Sequence, residues 1–177
     1  MRRLLLLRHA KSDRSVPGMR DHDRPLNPRG RESAPRIGAY MATHGLVPDL
    51  VLCSTATRAR ETWDLVAGAL DASPKVRFDA RIYENDPGIL LDLVRTLPAG
   101  KQGRTVLLVG HNPSFQVFAE LVVASGHGDA RQRLREKFPT AGLAVIDFAT
   151  DAWDRVHPHS GRLDRMITPR LLEDSSD

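Results

Sequence analysis

The sequence of 177 residues contains a single cysteine, Cys53. One thiol cannot close an internal disulfide, and no cysteine-based zinc site can form, so nothing in the chain demands an oxidising compartment. Aromatic residues make up only 5%, so the core has to be assembled from Leu, Val, Ile and Ala. Long apolar runs are missing as well. Leu4 to Leu7 follow Met1-Arg2-Arg3 and stop at Arg8. That stretch is too short for a signal-peptide core and far too short to span a bilayer. Nor is there a large surplus of one charge: 26 basic residues face 22 acidic ones, for a formal net charge of +4. This interspersed balance argues against a nucleic-acid arm or a polybasic membrane anchor, although a small positive excess still attracts anions. Repeats, low-complexity tracts and linkers are absent. The expectation is one domain over residues 1–177, monomeric and cytoplasmic, with neither nucleic acid nor membrane as partner.

What is present alternates between strands and helices. Leu4–Leu7 reads as a central strand covered on both faces. Lys11 to Gly30 is polar, with Pro17, Gly18, Pro25, Pro28 and Gly30, and reads as a long surface loop of the kind that often carries function. Ala34, Ile37, Tyr40 and Met41 recur at helical spacing over Arg29 to about His44, with Gly45 as a stop signal. Leu50–Cys53 is a second strand, after which Ser54 or Thr55 can cap a helix carrying Ala59, Trp63, Leu65, Val66 and Leu70. Pro74–Phe78 is a short strand, Ile89–Leu97 a short helix, and Thr105–Val109 another buried strand. Pro113 suits the first turn of the next helix, which Gly126 to Gly128 break. Leu143–Phe148 and Trp153–His157 alternate like a hairpin around Thr150-Asp151. The polar run from about 165 to 177 is expected to fray. The pattern predicts a three-layer α/β fold, with a mostly parallel sheet between helices and an antiparallel strand at one edge.

In such sheets ligands bind beyond the carboxyl ends of the strands. Two strands end there in a histidine, Leu7-Arg8-His9 and Val109-Gly110-His111, and a third leads through Ser54-Thr55-Ala56-Thr57 to Arg58. Adjacent parallel strands would gather two imidazoles and two guanidiniums at one sheet edge. Guanidiniums bind tetrahedral oxyanions through bidentate hydrogen bonds. A neutral imidazole nitrogen is a competent nucleophile toward phosphorus, provided its other nitrogen is held. Phosphoryl transfer is mostly positioning and charge stabilisation.

Arg8-His9-Ala10 resembles the Arg-His-Gly signature of the histidine phosphatase superfamily, with Ala10 where glycine is usual. The resemblance continues in Asp23-Arg24-Pro25-Leu26-Asn27-Pro28-Arg29-Gly30, Ser54 to Thr62, Gly110-His111-Asn112-Pro113 and Phe138-Pro139-Thr140-Ala141-Gly142. The chain is most similar to the SixA-type phosphohistidine phosphatases. The resemblance implies that His9 is the phosphorylated nucleophile, that Arg8 and Arg58 hold phosphate oxygens, and that His111 donates to the transferring group. It implies no metal and no cofactor. The substrate it implies is a protein phosphohistidine, with a small phosphomonoester, a phosphoglycerate-type mutase or a non-catalytic phosphate-binding module as alternatives. Glu84 lies roughly where larger relatives carry their acid, and a solvent-facing glutamate is the simpler reading of it; Asp86 is a weaker candidate. Lys11 either lines the pocket mouth or is solvated. Arg24 either binds substrate or pins the Pro25-Leu26 turn. Arg60 is expected to pair with a carboxylate such as Asp64.

Overall fold

The computed structural model describes residues 1–175. A seven-stranded sheet runs β1 (Arg2–Arg8), β2 (Leu50–Cys53), β3 (Lys75–Phe78), β4 (Thr105–Gly110), β5 (Val123–Gly126), β6 (Leu143–Phe148) and β7 (Gly161–Ile167), in the spatial order β3-β2-β4-β1-β6-β7-β5. Its helices are α1 (Pro28–Thr43), α2 (Thr57–Leu70), α3 (Ala80–Tyr83), α4 (Pro87–Arg95), α5 (Ser114–Val122), α6 (Gly128–Glu136) and α7 (Pro169–Asp174).

The apolar run at the N-terminus explains the layering. Leu4, Leu5, Leu6 and Leu7 are all fully buried, each contributing roughly 2 kcal/mol through apolar burial. Successive side chains of a strand point to opposite faces. Leu5 and Leu7 pack with Ala34, Ile37 and Met41 of α1 and with Trp63 and Val66 of α2. Leu4 and Leu6 pack with Leu90 and Val94 of α4, Phe115 and Phe118 of α5, and Leu134 of α6. The sheet is therefore sandwiched between two helical layers.

β1 pairs in parallel with β4, and β4 with β2, in registers that set Arg8 opposite Gly110 and Cys53 opposite Val109. The carboxyl ends of these three strands lie side by side, which is what brings the candidate residues together. β6 supplies the antiparallel component. It runs against both β1 and β7 and so lies inside the sheet, while β3 and β5 form the margins.

Three local expectations need correction. The partner of β6 is Gly161–Ile167, and Trp153–Arg155 is a 3-10 turn. The alternation around Trp153 arises because Trp153 and Val156 are buried in a loop, where the indole Nε1–H donates to the carbonyl of Gly103 at 2.7 Å. The stretch expected to fray from about 165 instead completes β7 and then forms α7, whose first turn is capped by Thr168 accepting from the Leu171 N–H at 3.2 Å. Ser176 and Asp177 lie outside the described residues. Arg60 does not pair with Asp64. Its Nε donates to the carbonyl of Thr55 at 3.1 Å, and its guanidinium lies 4.0 Å from the ring centroid of Phe78.

Candidate active site

Backbone hydrogen bonds lace the strand ends into one platform. His9 N–H donates to Gly110 O at 2.9 Å, and Ser54 N–H to Val109 O at 2.9 Å. Ala141 N–H is shared between Arg8 O and His9 O, at 3.1 and 3.0 Å, which seats the Phe138–Gly142 loop against the first motif. Ala10, in the position of the usual glycine, is fully buried; its N–H donates to Thr62 Oγ1 at 2.9 Å, and that hydroxyl donates to Arg58 O at 2.7 Å. The alanine thus ties the His9 segment to the Arg58 helix rather than obstructing it.

Over this platform lies a cleft of about 940 Å³, lined among others by Arg8, His9, Asp21, Arg58, Tyr83 and His111. His9 and His111 are 7% and 3% exposed, with ring centroids 5.2 Å apart and planes tilted by 54°. His9 Nδ1 lies 2.7 Å from Ala10 O. A carbonyl only accepts, so Nδ1 carries the proton and Nε2 keeps its lone pair. His111 Nε2 lies 2.7 Å from Ser54 Oγ, which already accepts from the Ala56 N–H at 3.3 Å. The Ser54 hydroxyl can donate its proton to Nε2, and in that tautomer His111 Nδ1–H is a donor.

Both imidazoles are held neutral. Burial pushes His9 down to about 3; its bond to Ala10 opposes this, and His111, Arg58 and Arg8 add to it. Burial likewise pushes His111 down to about 3, with Arg58, Arg8 and His22 lowering it further against the attraction of Asp21.

The two guanidiniums are anchored from the side. Arg8 Nη1 donates to Phe138 O at 2.9 Å. Arg58 Nη1 donates to Asp21 O at 2.7 Å and Nη2 to Asp21 Oδ2 at 3.1 Å. The Nε–H of each is buried with no partner among the described residues. A buried orphan donor costs roughly 1–3 kcal/mol, and two of them on arginines lining one cleft are matched to an anion with several acceptor oxygens. Burial, then Arg14 and Arg58, also lowers Arg8 below its ordinary value, a penalty that an anion in the cleft would offset.

Comparisons with known proteins give the family. The family model for the histidine phosphatase superfamily (branch 1) matches residues 4–96. An uncharacterised protein of Mycobacterium tuberculosis is 38% identical over 167 residues, covering 93% of this chain and 100% of its own length. The chain belongs to the histidine phosphatase superfamily. Two solved structures, from Agrobacterium tumefaciens and Nakamurella multipartitia, each carry a provisional assignment as the phosphohistidine phosphatase SixA. The first is 32% identical with a TM-score of 0.78, covering 95% of this chain and 98% of its own. The second is 31% identical with a TM-score of 0.79, covering 95% and 96%.

Within this histidine phosphatase fold the remaining candidates fall as follows. Lys11 lines the cleft and is exposed at its mouth. Arg24 lines it too but is committed within the protein: Nη1 donates to Ser12 Oγ at 2.6 Å, and Nη2 to Asp21 Oδ1 at 3.0 Å. Glu84 lines the cleft as an exposed side chain. Asp86 caps α4 instead, accepting from Gly88 N–H at 2.7 Å and Ile89 N–H at 3.2 Å.

Four residues that the sequence did not single out for the site belong to it. Asp21 accepts from Arg24 and Arg58, and from Tyr83 Oη–H at 2.7 Å. Ser54, expected only as a helix cap, holds His111; the cap position is Ala56. Tyr83 sets its ring edge-on to His111, with centroids 5.6 Å apart. Asn85 clamps the loop after His111, its Nδ2 donating to Asn112 O at 2.9 Å and its Oδ1 accepting from Ser114 N–H at 3.0 Å. Among the described residues no group of three or more His, Cys, Asp and Glu is placed to hold a metal ion. No described helix is long and apolar enough to cross a membrane.

Proposed function

We propose that the chain is a phosphatase that works through a phosphohistidine intermediate on His9, without a metal, and that its substrate is a protein phosphohistidine. The observation that carries the first part is the bond between His9 Nδ1–H and Ala10 O. It leaves a neutral Nε2 lone pair in the same cleft as the two unpartnered guanidinium Nε donors. In this reading Nε2 attacks phosphorus, forming the new P–N bond as the bond to the leaving group breaks. Arg8, Arg58 and His111 Nδ1–H stabilise the equatorial oxygens. Water then attacks phospho-His9, releasing phosphate and returning the imidazole to its neutral state.

The choice of leaving group follows from Asp21. It is the carboxylate bonded to Arg58, and it is locked as an acceptor. Burial works against its ionisation, but the hydrogen bonds from Tyr83, Arg24 and Arg58 outweigh that and hold it well below the usual carboxylate range. A carboxylate so held has no proton to give an alkoxide. A phosphorylated imidazole takes a proton from solvent on its free ring nitrogen and then leaves as neutral imidazole, so it has no need of a strong acid in the cleft. The second reading is a small phosphomonoesterase, and exposed Glu84 in the cleft is the residue that favours it, as the acid for an ester oxygen.

A turnover comparison separates the two. Purified protein is given a phosphohistidine-bearing protein domain and a panel of small phosphomonoesters at equal concentrations. The proposal expects kcat/KM for the phosphohistidine protein to exceed that for every ester, with a Glu84→Gln variant unchanged on it. Faster ester turnover that falls in Glu84→Gln would replace the proposal with the second reading.

A further inference from the structure

Lys11 and Thr140 line the catalytic cleft and at the same time a second groove on its flank. That groove is lined by six basic and four acidic side chains. Its charges are not evenly cancelled. Arg36 is neutralised by Glu32 at 3.0 Å and Glu173 at 3.4 Å. Lys11, Arg29, Arg133 and Lys137 form no ion pair among the described residues. Glu136, on the same wall, accepts from Gln132 Nε2 at 3.0 Å. Lys11, Arg29 and Lys137 are exposed, so their charges face whatever enters.

Arg133 adds an independent observation. Its Nη2 donates to Met166 O at 3.3 Å, while its Nε–H is buried without a partner among the described residues. The other two side-chain nitrogens in that condition belong to Arg8 and Arg58, in the catalytic cleft. An orphaned guanidinium donor beside uncompensated cations calls for an anionic acceptor. The interspersed Glu32, Glu136, Glu173 and Asp174 are poorly suited to a continuous polyphosphate backbone or an anionic lipid sheet. They suit a peptide, whose carboxylates are spaced and whose N–H groups can donate to them.

We propose that this groove docks an acidic segment of the phosphoprotein whose phosphoryl group enters the catalytic cleft. The inference rests on the protein-phosphohistidine reading above. Docking beside the cleft raises the effective concentration of the phosphoryl group at His9, so it acts on KM and leaves the chemical step alone.

The test uses two peptides with the same phosphohistidine core, one with an Asp/Glu-rich extension and one with a Ser/Gly extension of equal length. Phosphoramidate serves as a substrate too small to reach the groove. Wild type is expected to prefer the acidic peptide by about tenfold in kcat/KM at low salt, the scale of a few exposed ion pairs. The preference should vanish in the Arg29→Glu/Lys137→Glu double variant and near 0.5 M salt, with phosphoramidate turnover unchanged in both. Equal kcat/KM for the two peptides in wild type, or a preference that survives in the double variant, would overturn docking. A protein inactive on both peptides but active on esters would remove the substrate reading instead. The groove is then judged by fluorescence anisotropy of the unphosphorylated acidic peptide. Binding by wild type and not by the double variant upholds the groove, and no binding overturns it.

Discussion

Asp21 grips Arg58 twice, its main-chain carbonyl accepting from Nη1 at 2.7 Å and its carboxylate from Nη2 at 3.1 Å. Both terminal nitrogens are thereby engaged, while the buried Nε–H has no partner among the described residues. Asp21 is itself fixed by Arg24 and Tyr83, so the orientation of the Arg58 guanidinium is set by a residue distant in sequence. Asp21 acts as a positioning residue. Asp21→Ala is expected to lower kcat/KM by roughly ten- to a hundredfold, the scale of losing a charge-assisted bond. Both variants keep the main-chain contact, but Asp21→Asn also keeps a side-chain oxygen that can accept from Nη2 and should lose less. Steady-state kinetics on both variants checks this, and equal, full activity in Asp21→Ala would contradict it.

Ser54 bears on the second histidine in the same way. Without its hydroxyl, His111 Nε2 loses its 2.7 Å partner and with it the hydrogen bond that fixes the ring and its tautomer. Ser54→Ala is expected to reduce kcat about tenfold with little change in KM. Thermal denaturation of the same variant separates this from unfolding. A fall in KM-controlled rates alone would assign Ser54 to binding.

The depressed histidines make a prediction about pH. His9 and His111 are both pushed down to about 3, so in the folded protein they stay neutral where an unfolded histidine, near 6.5, begins to protonate. The unfolded chain therefore binds more protons. Their contribution to stability is complete above about pH 6.5 and is lost as pH falls from there toward 3, by up to about 1.4 kcal/mol per pH unit for each histidine. Nitrogen chemical shifts of His9 should report a neutral Nδ1–H ring from pH 8 to 5. A His9 titration near 6.5 would contradict the assignment.

Gly30 joins the first helix to the site. A Cβ there would collide with the carbonyl oxygen of Lys11, a backbone atom two residues from His9. Backbone cannot rotate away as a side chain can, so Gly30→Ala is expected to cost about 1–3 kcal/mol and to displace the loop that carries Lys11. Chemical denaturation measures the first effect. An unchanged midpoint would show that the α1 N-terminus shifts freely.

Much of this site was legible because its main residues stand at the ends of apolar strands. Leu4–Leu7, Leu50–Cys53 and Val106–Val109 are conspicuous runs, and parallel pairing carries Arg8, His9, Ser54 and His111 to one edge. Asp21 was hidden in Arg20-Asp21-His22-Asp23-Arg24, where pattern alone cannot say which charge turns inward. Ser54 read only as a helix cap, because its partner His111 lies 57 residues away in the chain and the two meet only when β2 and β4 pair. β7 was missed because its strand carries Arg162, Asp164 and Arg165, whereas Trp153 and Val156 imitate a strand from within a loop. α6 was missed because only Ala130 and Leu134 of its nine residues are buried, too thin a stripe to read as periodicity.

In the proposed reaction His9 carries the phosphoryl group. Protein mixed with a ³²P-labelled phosphohistidine domain and quenched within milliseconds should hold an acid-labile, base-stable label on the His9 peptide, and His9→Ala should hold none and show no turnover. Label on a serine or aspartate, or undiminished turnover in His9→Ala, would contradict the account.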